Sequence, residues 1–225
     1  MKIRNEILEG VFLEEKKNRF LCSVLIDNRI EECYIPSASK LENYIKLKHK
    51  RVLLTKNKGN ENKTEYSVFA VKYYGRFIIL NLSIVNKILE EYICLNYKYD
   101  YLQKEKFIGK YKADFLILNN NKTLVEAKGI IAANKKVLFP TIYSQRAIEQ
   151  LKSILELLNR GWKAEYYFIS LSPIINRITI NRDFMYMGYR NLLKKCVDCG
   201  MLIKAFNIYY EDGSLMVKNK IKVFI

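Results

Sequence analysis

Asp114, Glu126 and Lys128 are the residues of this chain whose types and spacing could do chemistry together. Ala113 to Leu118 (ADFLIL) and Thr123 to Lys128 (TLVEAK) are short apolar runs separated by Asn119-Asn120-Asn121-Lys122. A polar, turn-forming cluster between two such runs predicts a hairpin of antiparallel strands. With the turn centred near Asn120, Asp114 lies across from Glu126. Side chains alternate along a strand, so Glu126 and Lys128 share one face while Val125 and Ala127 point to the other. Directly opposed side chains have Cβ atoms about 4.5–5.5 Å apart, and two carboxylates held there repel unless something neutralises them. Mg2+ or Mn2+ would do so, because such cations take carboxylate oxygens, keep several waters and can supply one as the nucleophile on a phosphate. Lys128 would orient that water or stabilise the extra charge of the transition state. The pattern points to metal-dependent phosphodiester hydrolysis, with Asp114, Glu126 and Lys128 catalytic and both acids as metal ligands. The plain alternative is a surface hairpin whose charges are merely solvated. If the two acids do share a site, one carboxyl has a raised pKa. Asp114→Asn is then expected to match or exceed the wild type in stability without metal.

The charge of the chain agrees with a polyanionic partner. Lys and Arg number 39 against 23 Asp and Glu, a net charge of +16, which suits nucleic acid or, less specifically, an acidic membrane surface. The 225 residues allow one large or two small domains, and 50% hydrophobic residues are ample for a core. The first residues, MKIRNEILEG, lack an apolar stretch of signal-peptide length, and no run approaches a membrane span, so a cytoplasmic protein without a membrane partner is expected. Five scattered cysteines, an odd number, fit reduced thiols. Cys196-Val-Asp-Cys199 is a lone CxxC, and with His49 as the single histidine it lacks the four ligands of a structural zinc. The single histidine likewise offers no catalytic partner for a histidine-based acid/base mechanism.

The elements that must position these residues can be read from their periodicity. Short strands are expected at Ile7–Leu13, Phe20–Ile26, Ile30–Tyr34, Arg51–Lys56, Tyr66–Lys72 and Arg76–Leu80, with turns at Asp27-Asn28-Arg29 and Tyr74-Gly75. So many short strands suggest a closed barrel, either the oligonucleotide-binding (OB) type or an SH3-like one. From Ser83 to Ile93 the apolar residues recur at helical spacing, and this helix opens a second domain. Strands at Glu105–Ile108, Asp114–Leu118 and Leu124–Lys128 follow, then a helix from Ser144 to Asn159 and a strand from Glu165 to Leu171. A helix from Asp183 to Cys199 and strands near Leu202–Tyr210 and Leu215–Ile225 complete an α/β sandwich. The division expected is 1–82 and 83–225. In the barrel, Arg19, Lys50 and Arg51 could track phosphates while Phe20 and Tyr34 stack bases. Ser144 and Arg146 open a helix near the acids, where backbone N–H groups and a guanidinium suit a phosphate.

Residues throughout the chain resemble the sugar fermentation stimulation protein family (SfsA), whose second domain resembles the PD-(D/E)xK nuclease superfamily. Arg19-Phe20-Leu21 is similar to the family's early Arg-Phe-Leu, and Glu105 to Phe115 (EKFIGKYKADF) to its Glu…Gly…Arg-x-Asp-Phe stretch. Val125-Glu126-Ala127-Lys128 is similar to its Val-Glu-Val-Lys. Phe139-Pro140 and Ser144-Gln-Arg146 fall where the family has Phe-Pro-Asp-Ala and Thr-x-Arg-Gly. The chain departs from the pattern at Pro36-Ser37-Ala38-Ser39, Lys112, Thr141, Ala147 and Gln150, where the family has Pro-Asn-x-Gly, Arg, Asp, Gly and His. The resemblance implies an α+β, α/β protein of two domains: an N-terminal OB-like β-barrel, then a PD-(D/E)xK nuclease-like α/β domain. It implies DNA as partner, RNA remaining open, and Mg2+ or Mn2+ as cofactor. It adds the Ala127 carbonyl as a third metal oxygen. Glu105, which begins the neighbouring strand, could contribute an outer or second-metal carboxylate, and Lys112 joins the expected nucleic-acid contacts. The leading expectation is a divalent-metal-dependent nuclease. The alternative is a non-catalytic DNA-binding regulator of sugar metabolism genes. Oligomeric state is left open, a homodimer among the options.

Overall fold

The computed structural model describes residues 1–3, 5–16, 20–36, 41, 44–57 and 63–225. Alternating apolar runs in the first eighty residues become strands β1 (Ile7–Glu15), β2 (Leu21–Ile26), β3 (Arg29–Tyr34), β4 (Arg51–Lys56), β5 (Tyr66–Tyr73) and β6 (Arg76–Ile79). They form one sheet in the order β3-β2-β1-β4-β5-β6. A parallel pairing of Cys33 with Tyr66 and Tyr34 with Ser67 joins β3 to β5 and closes the sheet into a barrel. The two hairpin turns follow their residues. Asp27 and Asn28 (φ 46° and 64°) and Tyr74 and Gly75 (φ 48° and 76°) take the left-handed conformations that two-residue turns between twisted strands require.

A single 3-10 turn at Leu82–Ile84 leads into α1 (Val85–Asn96). The second domain continues with β7 (Tyr101–Ile108), β8 (Tyr111–Leu118), β9 (Lys122–Ile130), β10 (Lys136–Phe139), α2 (Gln145–Asn159), β11 (Lys163–Ser170) and β12 (Arg177–Ile180). It ends with α3 (Met187–Asp198), β13 (Leu202–Glu211), β14 (Ser214–Lys220) and β15 (Lys222–Phe224). The main sheet runs β14-β13-β11-β9-β8-β7, its central strands β9, β11 and β13 parallel. Strands buried on both faces are apolar on both, as Tyr166 to Ile169 show. On one face Leu151, Ile154 and Leu157 of α2 and Leu193 and Cys196 of α3 pack with Leu116, Leu124, Tyr166 and Phe168. On the other, Val85, Ile88, Leu89 and Ile93 of α1 pack with Phe115, Ile117, Val125, Tyr167 and Ile169. That second core is continuous with the barrel interior, including Phe12, Val24, Val52 and Val71. The Ile79 N–H donates to the Leu171 carbonyl at 2.9 Å, tying β6 to the loop after β11. The first residues also reach the second domain, where Ile3 N–H donates to Gly213 O and Leu215 N–H to Met1 O, each at 2.8 Å.

Two features depart from the sequence reading. Lys136–Phe139 and Arg177–Ile180 are strands of a small parallel sheet, ordered β10-β12-β15, that the periodicity does not announce. The expected strand from Leu215 to Ile225 divides, because buried Ile221 donates its N–H to Ala205 and the chain leaves the main sheet for the small one. Among the described residues no helix is long and apolar enough to cross a membrane.

Candidate functional site

The hairpin β8–β9 keeps the expected register, Phe115 with Val125 and Leu116 with Leu124, which sets Asp114 across from Glu126 one step beyond the last paired residues. There the strands part, and Asp114 Oδ2 accepts the backbone N–H of Ala127 at 2.8 Å in place of a ladder bond. Its Oδ1 accepts from the Asn86 side chain of α1 at 3.0 Å. Glu126 is 2% exposed, and a charge so buried requires partners. Tyr111 O–H donates to its Oε2 at 2.8 Å, and the Lys128 ammonium donates to its Oε1 at 2.6 Å. Lys128 reaches on to Gln150 Oε1 of α2 at 2.8 Å. The chain Tyr111–Glu126–Lys128–Gln150 thus crosses from the hairpin to the helix in fixed order.

Burial raises the Glu126 carboxyl above its ordinary range, Lys128 pulls it back, and the nearby Asp114 charge pushes it up again. Burial and the Glu126 charge keep the Tyr111 phenol protonated far beyond the usual range. Beneath lie Tyr166 and Tyr189, their hydroxyls 3.0 Å apart, with the Lys128 ammonium 5.8 Å from the Tyr166 ring centroid.

These residues open onto a cleft of about 410 Å3. Its walls are Leu41 and Tyr44 from the barrel side, Leu82 before α1, the segment from Phe139 to Ile148, and Tyr186. Ser144 caps α2 by accepting the Ala147 N–H at 3.2 Å, which fixes the helix N-terminus beside the cleft and brings Arg146 to its rim. Thr141 also lines this cleft, and its carbonyl accepts from Tyr186 O–H at 2.9 Å.

The other expected site residues lie elsewhere or in altered roles. Glu105 falls in register opposite Asp114 but takes a left-handed backbone (φ 50°), and its exposed carboxylate pairs with Lys112 at 2.7 Å. Lys112 is thereby partly neutralised. Lys50 sits 4.5 Å over the Tyr73 ring, and Arg51 pairs with Glu9 at 3.4 Å; neither lines the cleft. Arg19 lies outside the described residues. Phe20 and Tyr34 stack on each other at 6.1 Å with partly exposed rings. Cys196 is buried against the Leu151 carbonyl and Cys199 is exposed, so the CxxC is helix-end packing. Sequence reasoning missed Tyr111 and Asn86 as partners of the acids and Gln150 as the partner of Lys128.

The donor set suits a hard divalent cation. Each oxygen of Asp114 and Glu126 accepts one hydrogen bond and retains a further lone pair, and Mg2+-like ions commonly need only one or two carboxylates plus water. Ala127, whose N–H donates to Asp114, lines the same cleft.

A closed barrel followed by a layered α/β domain with two carboxylates at its cleft defines a two-domain protein, and comparison with known proteins gives it a family. The SfsA N-terminal OB domain matches residues 15–80, and the sugar fermentation stimulation protein RE domain matches residues 80–214. The chain belongs to the sugar fermentation stimulation protein family. A sugar fermentation stimulation protein homolog from Clostridium botulinum (strain Langeland) is 25% identical over 100% of both chains. One from Clostridium beijerinckii is 23% identical over 98% of this chain and 99% of its own. The structure of Pyrococcus furiosus SfsA in complex with Ca2+ shares the fold over 100% of both chains, with a TM-score of 0.83 at 22% identity.

Proposed function

We propose that this protein binds nucleic acid, DNA foremost, and hydrolyses its phosphodiester bonds at a Mg2+ or Mn2+ ion held by Asp114, Glu126 and the Ala127 carbonyl. One observation carries the reading: two carboxylates meet at a cleft together with a lysine whose ammonium is already fixed 2.6 Å from one of them. The Ca2+ complex of the Pyrococcus furiosus relative supports a hard-cation site within the family. When bound, the cation would polarise the phosphate and lower the pKa of an attacking water. Lys128, held by Glu126 and Gln150, presents positive charge where negative charge develops on the phosphate. Tyr111 and Asn86 hold the two carboxylates in their orientations. Arg146 at the rim takes a neighbouring phosphate. The net charge of +16 draws the polyanion in.

The test is cleavage of a labelled oligonucleotide by wild type, Glu126→Gln and Lys128→Ala in Mg2+ and Mn2+, with EDTA as control. Wild type cuts, EDTA stops it, and Lys128→Ala loses about 100-fold or more. Equal cutting by all three proteins overturns the assignment. A nucleic-acid binder without catalysis is favoured by one observation, that among the described residues no three His, Cys, Asp or Glu side chains come together. For that reading the oligonucleotide is bound and left intact in both metals.

A further inference from the structure

A second groove, of about 840 Å3, lies on the other side of α2 from the cleft, between that helix and the β7–β8 hairpin. Arg146 and Gln150 line both, so the two hollows meet across the first turns of α2. Along the helix, Arg146, Gln150, Ser153, Leu157 and Arg160 line the groove at spacings of three and four residues, a single stripe from one end of α2 to the C-cap. At 1.5 Å per residue that stripe is about 21 Å long. It would hold about six nucleotides at the 3.4 Å rise of a stacked strand.

The facing wall carries Phe107, Lys110 and Lys112. Phe107 is 63% exposed, with the Lys112 ammonium 5.7 Å from its ring centroid. A large aromatic ring standing in solvent beside a cation has no packing role, whereas it is the arrangement on which an unpaired base stacks. Lys112 is spoken for by Glu105, but among the described residues Lys110, Arg146 and Arg160 have no acidic partner within ion-pair distance. Glu149 lies in the groove too, and it is neutralised by Lys152 at 2.9 Å. Glu156 is the one lining acid without such a partner, against three free cations.

We propose that this groove binds a single nucleic-acid strand, its phosphates on Lys110, Arg146 and Arg160 and a base on Phe107, and leads it over α2 into the cleft. The choice of nucleic acid as occupant rests on the proposed function, but binding here requires neither metal nor catalysis. The occupant is a strand rather than a duplex because a paired base cannot offer its face to Phe107.

The test is binding of a fluorescent single-stranded 12-mer, and of the matching duplex, measured in EDTA between about 50 and 200 mM salt. The proteins are wild type, Phe107→Ala, Lys110→Gln with Arg160→Gln, and a control pair, Lys220→Gln with Lys222→Gln, on distant strands. Each lost phosphate contact to a single strand lowers the slope of log K against log salt by about 0.7, so the groove pair lowers it by about 1.4. Phe107→Ala weakens the strand by about fivefold or more and leaves the duplex unchanged. The control pair leaves the slope as it was. No binding by wild type, an unchanged slope in the groove pair, an equal drop in the control pair, or a duplex held more tightly than the strand overturns the proposal. Because EDTA is present throughout, absence of cleavage leaves a positive result standing, and failure of the groove leaves the cleavage test untouched.

Discussion

Asp114 accepts the backbone N–H of Ala127, so the first acid of the site also completes the strand that carries the second. The carboxylate thus has a structural role besides the metal-ligand role proposed for it, and this alters what its replacement should do.

Asp114→Asn removes the charge that pushes Glu126 upward, which favours the variant. Yet Asp114 receives two donors, from Asn86 and Ala127, and an amide has one oxygen to offer them. A donor left facing a donor costs about 1–3 kcal/mol. The variant therefore melts below wild type in EDTA, reversing the expectation from charge alone, and gains less than wild type from added Mn2+. Thermal melts with and without metal decide it. A melting temperature at or above that of wild type would return Asp114 to a purely electrostatic role.

Tyr111→Phe keeps the ring and deletes the hydroxyl that Glu126 Oε2 accepts in the interior. The orphaned oxygen lowers stability by about 1–3 kcal/mol, read from urea unfolding. A loss below the error of that measurement would mean that solvent or a rotated Lys128 replaces the phenol.

Gly129 lines the cleft, and a Cβ there would stand 2.7 Å from Leu82 Cδ2 and 2.8 Å from Val85 Cγ2. Val85 is buried, and its clashing methyl sits on a branched Cβ with restricted rotamers, so Gly129→Ala costs about 1–3 kcal/mol by overpacking against the start of α1. Equilibrium unfolding of Gly129→Ala beside Gly188→Ala, whose Cβ meets nothing nearer than 3.7 Å, isolates the clash. Similar losses in the two variants would refute it.

Cys22, Cys33 and Cys196 are buried, and burial pushes the Cys33 and Cys196 thiols up to about 12 and the Cys22 thiol up as well. Above the ordinary value of 9.0 the unfolded chain releases these protons while the folded chain keeps them. Stability is therefore full below pH 9 and declines from there toward pH 12, by up to ~1.4 kcal/mol per pH unit for each thiol. Urea unfolding at pH 8 to 11 measures the decline, and buried tyrosines steepen it above pH 10. In the native state at pH 8 a chromogenic thiol reagent should modify Cys94 and Cys199, the two exposed cysteines. Rapid reaction of all five would show that the three burials do not hold in solution.

The acids and Lys128 are legible in the sequence because a hairpin is a local object. Its turn residues, its period of two and its symmetry about Asn120 lie within fifteen residues, from Asp114 to Lys128. The barrel strands are legible for the same reason, each being bounded by turn signals. Asn86 and Gln150 are not, since they arrive from α1 and α2, and a polar residue on a helix looks the same in sequence whether it meets solvent or a half-buried charge. Tyr111 belongs to a strand whose aromatic residues signal packing first, and only the fold shows its hydroxyl meeting Glu126. The small parallel sheet is illegible because its strands are three or four residues long and exist only through pairing across large sequence separations. Glu105 shows the converse. Its expected metal role came from its place at the start of the neighbouring strand, and the register does set it opposite Asp114, but a left-handed backbone and Lys112 take its carboxylate to the surface.

The apolar core that runs without a break from the barrel into the face of the main sheet makes the two modules inseparable in practice. Cutting the chain near Asn81 would leave each half with a bare wall of valine, isoleucine and phenylalanine, and neither half would be expected to stay in solution. Heat should melt the protein in one calorimetric transition rather than two. Leu41, a fully buried member of that core, also lines the cleft and is consequently in place before any ligand arrives, so the entropy of placing that wall is lost during folding and is not subtracted again from binding.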